Sequence, residues 1–119
     1  MKTSEIAQRL VQYCRAAQWE TAQTELFAPD AISTEAEAMP GMSRETKGRA
    51  AIIEKGRQFG AKIETVHALT VSDPLVAESA FAVTMGMDVT MKGQPRMQIS
   101  ELCVYLVKDG KIVSEEFHP

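Results

Sequence analysis

Apolar residues in the first third of the chain recur at helical spacing. From Ile6 they fall at Leu10, Tyr13, Cys14 and Ala17, which predicts an amphipathic helix over roughly residues 4 to 17, with Thr3 or Ser4 as its N-cap. Trp19, Ala22, Leu26 and Phe27 make a shorter second stripe, and Pro29 with Asp30 is expected to stop it. Residues 31 to 36, AISTEA, carry β-branched Ile32 and Thr34 and read as a short strand, whereas EAMPGMSRETKG, with Pro40 and Gly41, reads as a loop. A third helix follows from Ala51, Ile52, Lys55, Gly56 and Phe59, with Gly60 just past its end.

From residue 61 onward the period changes from near 3.6 to 2. Across 79 to 91 the odd positions hold Phe81, Val83, Met85, Met87, Val89 and Met91, and the even ones hold Ala80, Ala82, Thr84, Gly86, Asp88 and Thr90. This is one long, half-buried strand. Residues 62 to 71 form another, with Ile63, Thr65, His67, Leu69 and Val71 on one face. Residues 96 to 107 and 111 to 118 make the last pair, joined at Asp109-Gly110, a favoured type I′ turn. Helices first and hairpins after imply an α+β domain with an antiparallel sheet.

Charge and cysteine content narrow the partners. The chain has 119 residues, enough for a single domain with its own core, and 16 acidic against 13 basic residues without a basic run. No footprint for nucleic acid is expected. Charged and amide residues interrupt every apolar stretch of MKTSEIAQRLVQYCRAAQ, so neither a signal peptide nor a membrane span is read, and a cytoplasmic protein is expected. Cys14 and Cys103 are far apart and read as reduced, buried thiols; with His67 and His118 they lack zinc-ligand spacing, so no metal is expected.

The order of elements, with LVQYCRAAQWETAQTELFAPDAISTEA at 10 to 36, KGRAAIIEK at 47 to 55, SAFAVTMGMDVTMKG at 79 to 93 and ELCVYLVKDGKIVSEEFHP at 101 to 119, resembles the SnoaL-like proteins of the nuclear-transport-factor-2-like superfamily. These pieces span nearly the whole chain. The resemblance implies a cone-shaped, cystatin-like roll: a strongly curved antiparallel sheet wrapped around three helices, enclosing a pocket open at one end, often in a homodimer. It implies no cofactor. It also spans isomerases, cyclases, dehydratases, hydrolases and noncatalytic modules, so function must come from the site.

Glu35 stands, counted from LF-x-x-DA, where the similar ketosteroid isomerases carry their general-base carboxylate; otherwise it begins a solvated acidic loop with Glu37. Glu101 is singled out by its own strand, a lone carboxylate on the apolar stripe of Met97, Ile99, Cys103, Tyr105 and Val107. It either faces the pocket or pairs with Arg96 or Lys62 at the rim. Cys103 stands, counted back from DGK, where the isomerases and many SnoaL-like enzymes have Asp, and their helix-1 tyrosine falls here at Val11. Tyr13, Tyr105 and His67 are candidate hydrogen-bonding groups to a ligand, with core packing as the alternative. Glu115 shares the face of Val113 and Phe117 and is the inward member of the Glu115-Glu116 pair. The methionines of neighbouring strands pack the core or line an adaptable apolar pocket. Two functions are consistent with this: an enzyme moving protons on a small hydrophobic carbonyl compound through Glu35 and Glu101, or a noncatalytic ligand-binding or dimerisation module.

Overall fold

A computed structural model describes residues 1–37 and 43–119; the loop expected around Pro40 and Gly41 falls partly outside them. Helix α1 spans Thr3–Arg15 and buries Ile6, Ala7, Leu10, Val11 and Cys14 on one face. It stops two residues sooner than its apolar stripe. Ala17 adopts φ 57°, its N–H bonds the Cys14 carbonyl at 3.0 Å, and the Gln18 N–H bonds the Tyr13 carbonyl at 2.9 Å, a Schellman ending. A left-handed alanine is costly. Ala17→Gly is expected to raise stability by about 1 kcal/mol, read as a higher urea midpoint at unchanged slope.

Helix α2 spans Trp19–Leu26 and runs directly into strand β1, Phe27–Thr34. Pro29 and Asp30 therefore lie inside the strand, exposed, where the β1–β7 register shifts between Phe27 and Ile32. A proline at an irregularity forfeits no ladder bond. Strand β2, Glu45–Lys47, pairs with β1 in the stretch expected to be loop. Helix α3 spans Arg49–Ala61, entered through Gly48 at φ 95°, and continues through Gly60.

The remaining strands are β3 (Ile63–Val71), β4 (Leu75–Val76), β5 (Ala80–Met91), β6 (Arg96–Lys108) and β7 (Lys111–His118). Their order is β2-β1-β7-β6-β5-β3, with β4 also on β5, in one strongly curved, unclosed sheet. The sheet is mixed, because β1 and β7 run parallel. Hairpins fix the direction of sequential neighbours only, and no hairpin joins these two. Asp109 and Gly110 form the β6–β7 turn with φ of 53° and 75°, as the turn type requires.

Core packing lies on the concave face. Phe81, Val83, Cys103 and Tyr105 meet Ile6, Leu10, Val11 and Cys14 of α1, and each large apolar side chain removed from water contributes roughly 1.5–3 kcal/mol. On the convex face Leu75, Leu102 and Leu106 are 79%, 42% and 44% exposed. Among the described residues no helix is long and apolar enough to cross a membrane.

Candidate functional site

The site forms where the end of β1, the middle of α3 and the inner faces of β6 and β7 meet. Glu35 directly follows β1, and its backbone is pinned to the start of β2: its N–H bonds the Arg44 carbonyl at 2.8 Å, and Arg44 Nε donates to the Glu35 carbonyl at 3.2 Å. Helix α3 turns Ile52 into the core, and Lys55, three residues on, follows the same face. Its stem is covered and its side chain only 19% exposed. The Lys55 ammonium donates to Glu35 Oε1 at 3.0 Å and to Ser33 Oγ at 3.2 Å, and lies 5.9 Å from the Phe117 ring centre.

Two more carboxyl groups surround this ammonium. Ser33 and Glu115 are register partners across the parallel β1–β7 pair, and both are buried. Burial pushes Glu115 up from 4.5 to about 7; Ser33 and Lys55 oppose the shift, while Glu35 and Glu101 add to it. Glu101, opposite Met85 on β5, is half-buried, and its carboxyl is also raised, first by burial and then by the charge of Glu35, against Lys55. Neither rim cation expected for it takes it: Arg96 forks onto Asp88 instead, at 2.8 and 2.7 Å.

Cys103 sits between Val83 and Phe117, and burial, helped by Glu101 and Glu115, pushes its thiol up to about 12. It stays protonated at neutral pH and is no nucleophile. Tyr105 is buried and stacked on Phe81 with ring centres 4.9 Å apart, so it belongs to the core behind the site. Beside Glu35 a cavity of about 170 Å³ opens between Arg44, Phe117 and His118. That is small against the roughly 300–1,000 Å³ of drug-sized ligand pockets.

Tyr13 and His67 do not join this group. The Tyr13 hydroxyl donates to Glu25 of α2, which also takes Arg9, because the helix pair turns that side chain along α2. His67 occupies a bulge where the β3 register shifts between Val66 and Ala68. The bulge breaks the alternation that would have kept it beside Leu69 and Val71; its Nε2 meets Thr90 Oγ1 at 2.8 Å on the convex side, near Asp88. Glu116 and His118, 3.5 Å apart, both line the cavity beside Glu35.

Lys55 and Ser33 are the members that sequence reasoning did not select. The available signal was a lysine inside the apolar stripe of a helix, a position where a solvated cation is out of place. Among the described residues no cluster of His, Cys, Asp and Glu is placed to hold a metal ion. The cation between these carboxylates is Lys55 itself.

The SnoaL-like domain profile matches residues 1–118. A candidate SnoaL-like polyketide cyclase of Mesorhizobium loti, also labelled a carbohydrate phosphatase, is 30% identical over the whole of both chains with a TM-score of 0.92. A Catenulispora acidiphila protein of ketosteroid isomerase-like fold, in complex with trimethylamine, is 19% identical over 97% of this chain and 85% of its own, with a TM-score of 0.74. A candidate isomerase of Bacillus subtilis is likewise 19% identical, over 98% and 84%, with a TM-score of 0.74. No curated protein matches the chain in sequence. Full-length coverage, the curved sheet around three helices and the profile match together establish that the chain belongs to the SnoaL-like domain family.

Proposed function

We propose that the protein is a small enzyme that moves a proton on a compact, largely apolar carbonyl compound. One observation carries this: two carboxyl groups around Lys55 have opposed environments, Glu35 ion-paired at the cavity and Glu101 half-buried with its carboxyl raised. An ion-paired carboxylate beside one that burial favours in its acid form offers a proton acceptor and a proton donor at one site. Glu35 would take a proton from the carbon next to the carbonyl, the C–H electron pair would move onto the carbonyl oxygen, and Glu101 in its acid form would donate a hydrogen bond to that oxygen. Phe117 and Met85 supply apolar surroundings. The volume beside Glu35 favours the compact end of the substrate range, and the trimethylamine complex of the Catenulispora protein supports a small ligand.

A noncatalytic module draws on a different surface. Leu75, Leu102 and Leu106 leave an apolar convex face, for which a second copy of the chain is the proposed occupant. Incubation in heavy water with a panel of compact ketones and aldehydes separates the readings. Protein-dependent deuterium incorporation next to the carbonyl, followed by NMR, is the expected result. None across the panel would overturn the enzyme reading.

A further inference from the structure

We infer that the substrate of this site carries a carboxylate held by Arg44, which makes it a compact oxo acid; the carbonyl part of that assignment rests on the proton transfer proposed above. Arg44 lines the cavity beside Glu35, together with Phe117, Glu116 and His118. Each acid on the cavity wall already has a neighbour to meet its charge. Glu35 takes the Lys55 ammonium at 3.0 Å, and Glu116 lies 3.5 Å from His118 Nε2. Arg44 differs. Among the described residues its side chain donates to a backbone carbonyl, that of Glu35, and pairs with no carboxylate. Residues 38–42, AMPGM, contain no acid either. The cavity wall therefore holds a positive charge that the protein does not offset, in a chain whose own net charge is -3.

The guanidinium is also held in place. Its Nε donates to the Glu35 carbonyl at 3.2 Å, while the Glu35 N–H donates to the Arg44 carbonyl at 2.8 Å, so the cation and the base are tied together where β1 and β2 end their pairing. Donation from Nε leaves the two Nη nitrogens, whose parallel N–H bonds match the two oxygens of a carboxylate. A lysine would supply neither the anchor nor the fork. The cavity volume of about 170 Å³ restricts the ligand to a short one, and favours a planar carboxylate over the bulkier phosphate. The carboxylate is held alike before and during proton transfer, so it strengthens binding without changing the barrier, and neutral ketones remain exchangeable at higher concentration.

The test is an NMR titration that follows the amides of Glu35, Phe117 and His118 with levulinate and with 2-pentanone, which replaces the carboxylate by a methyl group. Levulinate is expected to bind at least about fivefold more tightly, with added sodium chloride eroding the preference. In Arg44→Gln the preference disappears, and Arg44→Lys, with the charge but not the fork, keeps part of it. Failure of the wild type to prefer levulinate, or a preference that persists in Arg44→Gln, overturns the proposal. An equal loss of both ligands in that variant does so too, because Arg44 would then only shape the cavity. Inorganic phosphate displacing levulinate better than acetate does would overturn the choice of a carboxylate. Binding is read without turnover, so a missing deuterium incorporation would remove the carbonyl chemistry and leave the anion preference standing.

Discussion

Glu115→Gln is expected to stabilise the protein by about 3 kcal/mol near pH 8 and by almost nothing near pH 4. The carboxyl of Glu115 titrates at about 7 in the folded chain against 4.5 ordinarily. A folded-state value raised above the unfolded one means that the native state binds the proton more tightly. The resulting stability is fully present below 4.5 and is lost as pH rises through about 7. Glutamine mimics the protonated acid at every pH, so the variant keeps what the wild type loses. Urea unfolding of both proteins across this range reads the difference directly. A constant difference from acid to base would show that Glu115 is not the group responsible, and a destabilised variant near pH 8 would show that its charge is well accommodated.

The second large effect is on rate. Glu35→Gln is expected to lower deuterium incorporation or turnover by about 10²–10⁴-fold, the usual contribution of a positioned base. The fold should tolerate the change. Glutamine keeps an oxygen for Lys55, and Lys55 retains Ser33. Rate and stability therefore separate, and circular dichroism melting alongside the assay shows it. An undiminished rate would leave Glu35 as nothing more than a partner for Lys55.

Local physics made some of this molecule readable from its residues. The stripe from Ile6 to Cys14, the alternation from Phe81 to Met91 and the Asp109-Gly110 turn each specify their element without help from elsewhere, and each forms as expected. Glu101 was visible as a carboxylate on an apolar stripe, and Glu115 as the one of two adjacent acids that shares a face with Phe117. Nonlocal features were not visible. A three-residue strand such as β2 exists only because β1 pairs with it, and the parallel β1–β7 contact joins segments with no local signal of each other. His67 was misplaced because a strict two-residue period cannot anticipate a bulge. Tyr13 was misplaced because its partner, Glu25, lies on a different helix. Lys55 was seen as a helix position, and only its proximity to Glu35 shows it as the charge at the centre of the site.

The parallel pairing of β1 with β7 also sets when the site can exist. Ser33 and Glu35 are made early and Glu115 and Phe117 last among the site's residues, so the ion pair of Lys55 can form well before its buried acid arrives. Closing that contact spans most of the chain and carries a loop-closure cost that no nearby hairpin defrays. The group around Lys55 is therefore incomplete until β7 pairs with β1. A nascent chain lacking β7 would present Ser33 and Lys55 to water, without Glu115 and Phe117 beside them.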